Sequence, residues 1–204
     1  MDNQKARLLI ARRQLGTALW LFGHDRDSVS VHTLASAAAQ LVAHSVRSVG
    51  EEPWSFYIEK SNPQLTRREI RATFSAFDRH FKHATTHKEN AELETANHLS
   101  QFHDRLNGYA LWAAWYDYML AAKKLPIPAQ VFQIWWAEKT VEGHGLHMPF
   151  EEFRGLRDFE PEEQKRRLRL ITEKALLDEE LRQFPGTDLD PLIMDAIHIP
   201  IDSD

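Results

Sequence analysis

The sequence predicts an all-α protein: a single bundle of about six helices followed by an extended C-terminal arm. Three observations carry this. Apolar residues recur at helical spacing along most of the chain, start and stop signals bracket those stretches, and no strand-turn-strand series or internal repeat is visible. The expected division is a bundle over 1–184 and an arm over 185–204.

The first helix is expected over 3–22. Leu8, Ala11, Leu15, Ala18, Leu19 and Phe22 share a stripe, while Lys5, Arg12 and Arg13 take other faces. Gly23 and the Asp/Ser cluster after it favour a turn. Ser28 or Ser30 is the expected N-cap of a second helix. Its stripe is Val31, Leu34, Ala35, Ala38, Leu41, Val42 and Ser45, and its alanines admit a close neighbour. "GEEPWSFYIEKSNP" reads as a loop anchored by Trp54, Phe56 and Tyr57.

Thr66 and Glu69 form a capping box for a third helix, with Ile70, Phe74, Phe77 and Phe81 buried. Helical pattern resumes near Leu93 and runs to about Lys124, with a kink expected at Asn107-Gly108. "LPIP" ends it, because proline cannot continue the hydrogen-bond ladder. A short helix follows over about 129–138. Pro161 opens an amphipathic helix to about Phe184, with "KRRLR" on its solvated face beside Glu163 and Glu173. The Tyr109-to-Trp136 aromatics lie at helical spacing and read as core.

Composition narrows the chemistry. The chain has no cysteine, which excludes disulfides, thiolate metal sites and cysteine nucleophiles. A net charge of -5 gives no global field for nucleic acid, although a local basic patch stays open. The opening "MDNQKARLLIARRQLG" is charged and lacks the apolar run of a secretory signal. The most apolar stretch, "YALWAAWYDYMLAA", is too short to span a bilayer. A cytoplasmic protein without membrane attachment is expected.

Histidines are the candidate chemical groups. His32 stands in the first turn of the alanine-rich helix, where it can bond Asp25, Asp27 or a loop carbonyl, or act as a proton-transfer group. His83 and His87 are four apart, as are Glu94 and His98, so two ligand pairs on facing helices could hold a transition metal. Neither a Glu-x-x-His pair nor a His-Glu-x-x-His motif appears. No cofactor is therefore expected, with a transition metal as the alternative.

"LGTALWLFGHDRDSVSVHTLASAA" and the later "FDRHFKHA" resemble a family of uncharacterised bacterial proteins. The matching residues are Asp27, Val29, Ser30, His32, Thr33, Leu34, Ala37 and Ala38, then Phe81, Lys82, His83 and Ala84. The likeness extends through "YDYM" and "VFQIWWAEK" and covers most of residues 8–138. It implies that Lys82 and His83 share a polar crevice with His32. The first two helices also resemble HEPN domains, helical modules that cleave RNA or are inactive relatives of those that do. "RDSVSVH", Arg26 to His32, has the Arg-polar-His spacing of that signature, although earlier in the chain than in the family. The resemblance implies that His32 takes a 2′-hydroxyl proton while Arg26 steadies phosphate charge.

Three functions follow: a helical binding or interaction module with a His-containing crevice, which the sequence favours, a HEPN-like ribonuclease or inactive relative, and a metal-binding bundle. The tail has Ile193, Ile197, Ile199 and Ile201 in an extended pattern. Burying each large aliphatic side chain gains roughly 1.5–3 kcal/mol, so the arm is expected in a groove of its own bundle. Exchange of arms within a homodimer is the alternative.

Overall fold

A computed structural model describes residues 3–64, 66, 102–140 and 150–195. The protein is all-α. The described helices are α1 (Asn3–Gly23), α2 (Ser28–Ser48), α3 (Trp54–Ser61), α4 (Asp104–Ala122), α5 (Ile127–Thr140), α6 (Pro161–Leu176) and α7 (Glu179–Gln183). Two single 3-10 turns, Glu151–Phe153 and Leu156–Asp158, precede α6. Two short strands, β1 (Leu125–Pro126) and β2 (Thr187–Asp188), pair in parallel. No helix among the described residues is long and apolar enough to cross a membrane.

Helices α1, α2 and α4 pack on one another, and α5 joins α4 to α6. Ala11, Leu15, Ala18, Leu19 and Phe22 of α1 are buried against Val31, Ala35, Ala38 and Val42 of α2. Small residues let these helices approach, as the periodicity of both segments requires. At the centre Phe132 and Trp135 stack, and Phe22 meets both edge-on, with ring centroids 5.8–5.9 Å apart. The Trp135 indole donates to the Gln164 carbonyl at 2.9 Å, which satisfies its buried N–H.

Several boundaries differ from the sequence expectation. Asp27, not Ser28 or Ser30, caps α2: its carboxylate accepts from the Val29 amide and the Ser30 hydroxyl. The Ser30 hydroxyl, then the helix amides, hold that carboxyl below the usual range. Residues 54–61 form helix α3 rather than a loop. Pro53 precedes it, and the Asp117 carboxylate on α4 accepts from the Trp54 amide at 2.6 Å, satisfying an N-terminal donor from outside the helix. Helix α4 runs unbroken through Asn107 and Gly108. It stops at Lys123, whose left-handed backbone (φ 58°) returns its amide to the Met119 carbonyl, before the prolines are reached.

Gly108 serves close approach. A Cβ there would lie 2.1 Å from the Trp136 ring, so α4 and α5 meet at a distance only glycine permits. The expected helix over 161–184 is two: α6 ends at Leu176, and Asp178 caps α7 by accepting from the Leu181 amide at 2.9 Å. The aromatic stripe divides. Trp115, Tyr118, Trp135 and Trp136 are buried, whereas Tyr109, Trp112 and Tyr116 are half-buried beneath α3. Trp54 closes that side, its ring edge-on to Trp112 at 4.5 Å and its indole donating to the Tyr109 hydroxyl at 3.0 Å.

The segment after α7 lies along α1. Arg12 enters the core instead of solvent and donates to the Asp188 carboxylate at 3.2 Å. Its remaining donors reach the carbonyls of Asp190, Pro191 and Leu192 at 3.1 Å each. Gly16, one turn on, leaves room for that backbone; a Cβ would stand 2.1 Å from the Leu192 carbonyl. Ile193 is exposed, and Ile197, Ile199 and Ile201 lie outside the described residues.

Candidate functional site

His32 points into the core from the first turn of α2 and is 4% exposed. Its hydrogen-bond partner among the described residues is Asn107, rather than Asp25 or Asp27. The Asn107 amide nitrogen donates to the Ser28 carbonyl at 3.0 Å, which leaves Asn107 Oδ1 as acceptor. That oxygen lies 3.2 Å from His32 Nδ1, so Nδ1 carries the proton in this network. The Phe102 ring packs edge-on against the imidazole, 5.4 Å between centroids.

The polar chain continues to a lysine. Asn107 also approaches Asp104, and the other Asp104 oxygen lies 2.5 Å from Lys165 Nζ. Asp25 Oδ1 meets the same ammonium at 2.6 Å, and Phe22 lies beneath it with Nζ 4.4 Å from the ring centroid. Lys165 is therefore buried and doubly paired, not part of a solvated "KRRLR" face. Arg166 and Arg167 do behave as that face, both pairing with Glu163. Asp25 can meet Lys165 because its backbone is left-handed (φ 51°), a conformation aspartate tolerates better than most residues. The cluster ties the end of α1 and the starts of α2 and α4 to α6.

Beside it opens a cleft of about 350 Å³. Its described lining is Arg105 from the first turn of α4, Trp136, Lys139 and Thr140 from the end of α5, Arg157 from a 3-10 turn, and Gln164 from α6. Three cations thus come from three separate elements, and no carboxylate is among the described lining residues. Arg157 is held by its Nε bond to the Glu138 carbonyl at 3.0 Å. Lys139 Nζ sits 4.9 Å from the Trp135 ring centroid. Burial, then the charges of Lys165 and Arg105, lower the Lys139 ammonium pKa from the usual lysine value, with Asp104 opposing.

The other expected site residues fall elsewhere. Arg26 is exposed in the α1–α2 loop, while His32 faces Asn107 from the core. Lys82, His83, His87, Glu94 and His98 lie outside the described residues. Among the described residues, no group of three His, Asp or Glu side chains could hold a metal ion. Sequence reasoning missed Arg105, Lys139 and Arg157 because they share no spacing; only the packing of α4, α5 and the 3-10 turn Leu156–Asp158 makes them neighbours. No family model, curated protein or solved structure matches the chain.

Proposed function

We propose that the protein is a helical binding module whose cleft takes a small oxyanion. The supporting observation is the convergence of Arg105, Lys139 and Arg157 on one concavity with no carboxylate in its described lining. Nearby, Lys165 is balanced by Asp25 and Asp104, so its charge is spent within the fold. The three cleft cations are left to act on a ligand. Arginine suits this role because its planar fork matches carboxylate or phosphate oxygens in pairs. A volume of about 350 Å³ lies within the range of small-molecule sites.

His32 is a positioning residue in this account. Through Asn107 and Asp104 it fixes the first turn of α4, from which Arg105 reaches the cleft. That joins the histidine crevice to a binding role without asking the buried imidazole to meet a ligand.

Thermal unfolding of the full chain with inorganic phosphate or oxalate, against chloride at matched ionic strength, tests the reading. A saturable rise in Tm is expected for the natural protein. Arg105→Ala and Arg157→Ala, both changes at exposed positions, should lose that rise while keeping the unliganded Tm. Equal rises in all three proteins, or none in any, overturn it.

A further inference from the structure

Lys139 and Lys165 stand close enough to feel each other's charge, yet their settings are opposite. Lys165 has carboxylates at 2.5 and 2.6 Å. Lys139 has no ion pair with a described residue. It is half-buried over an indole and opens on a cleft; Asp104 attracts its charge, Lys165 and Arg105 repel it, and burial leaves the net effect in favour of the neutral amine. An amine needs its lone pair to react, and burial beside other cations favours the neutral form that carries it. The same cleft supplies Arg105 and Arg157, two forks for an oxyanion.

We propose that Lys139 is a nucleophilic amine that captures a small α-oxo acid as an imine, with Arg105 and Arg157 holding the acid's carboxylate. This rests on the oxyanion reading of the cleft. The neutral Nζ attacks the carbonyl carbon, a C–N bond forms, and the carbonyl π pair moves to oxygen. One proton passes from nitrogen to that oxygen, giving a carbinolamine. Loss of the oxygen as water, with the second nitrogen proton, leaves the imine. Amine and carbonyl give imine and water; nothing is oxidised or reduced. The carboxylate stays intact throughout and serves as the handle that the two arginines grip.

Reductive trapping tests this. The full chain is incubated with glyoxylate and cyanoborohydride, and adducts are placed by peptide mass mapping. Lys139 should be modified about tenfold faster than Lys123, an exposed lysine that serves as an internal reference. Arg157→Ala should slow trapping of glyoxylate at Lys139 and leave trapping of acetaldehyde, which has no carboxylate, unchanged; Arg105→Ala, which also removes a repelling charge beside Lys139, should slow glyoxylate more than acetaldehyde. Lys139→Arg keeps the charge and should lose the fast adduct, with Lys139→Met as a second variant. Modification that simply follows lysine exposure, or an unreactive Lys139, overturns the proposal. If oxalate still raises Tm in that case, the oxyanion reading stands and only the nucleophile is lost; if oxalate has no effect either, both fall.

Discussion

Arg12 and Asp188 face each other at 3.2 Å across 176 positions of sequence, and both side chains are only 4% exposed. The pair binds α1 to the C-terminal segment. Three backbone carbonyls complete the guanidinium's shell, so its burial is matched by hydrogen bonds on every side. Arg12→Met leaves the buried Asp188 charge with Lys124 at 3.7 Å and the Asp190 amide at 3.1 Å among the described residues. The expected loss is about 3–5 kcal/mol in urea denaturation, and Arg12→Met with Asp188→Leu together should lose less than Arg12→Met alone. A single-variant loss under about 1 kcal/mol contradicts the clasp.

His32→Ala should cost on the order of 1–3 kcal/mol, because it strands the Asn107 acceptor inside the core. Asn107→Leu should cost a similar amount, and the two losses should not add. Chemical denaturation of both single variants and the double variant measures this. Additive losses mean that the two side chains do not work as one unit.

How much was legible follows from where each partner lies. The stripes of α1 and α2 could be read because periodicity is local: Ala11, Leu15, Ala18, Leu19 and Phe22, then Val31, Ala35, Ala38, Val42 and Ser45, are buried, while Leu8, Leu34 and Leu41 are half-buried. Helix α3 was hidden by Pro53 and its run of aromatics, which look like a loop until Asp117 supplies the missing N-terminal acceptor. Sequence puts Arg12 off the apolar stripe and Lys165 on a solvated face because their partners are 176 and 140 residues away. Asn107 next to Gly108 suggested a kink; in the fold the amide serves His32, and the glycine admits Trp136. His32 itself was legible as a buried, bonded group, but not its partner. The cleft left no trace in sequence, since its three cations belong to separate elements and each looks like an ordinary surface charge.

Asp117 gives a pH signature. Burial pushes its carboxyl up from 3.8 to about 6, against the opposing effects of the Trp54 amide and Arg47. Its folded pKa therefore exceeds its unfolded one. The stabilising contribution of the protonated form is complete below 3.8 and is lost as pH rises through about 6. The shift corresponds to roughly 3 kcal/mol. Asp117→Asn keeps an acceptor for Trp54 and should remove this loss, raising stability at pH 7 by about 1–3 kcal/mol. Denaturation curves at pH 4, 5, 6 and 7 decide it (pH values chosen to bracket the transition). Parallel pH profiles for both proteins contradict the assignment.

Gly108→Ala should drive a methyl into the Trp136 ring, 2.1 Å from its nearest carbon. Overpacking of this kind costs roughly 1–3 kcal/mol. Since Trp136 also lines the cleft, oxyanion binding should weaken along with stability. Calorimetric melting with and without phosphate reads both effects, and a variant as stable as the natural protein means that α4 and α5 can move apart.

The central claim is that Arg105, Lys139 and Arg157 form one oxyanion site. Chemical-shift mapping of the isotope-labelled full chain during a phosphate titration tests it most directly. The account predicts saturable shifts concentrated at Arg105, Trp136, Lys139, Thr140, Arg157 and Gln164, weakening as ionic strength rises. Shifts centred instead on Arg166 and Arg167, or no saturable shifts at these six residues, would contradict it.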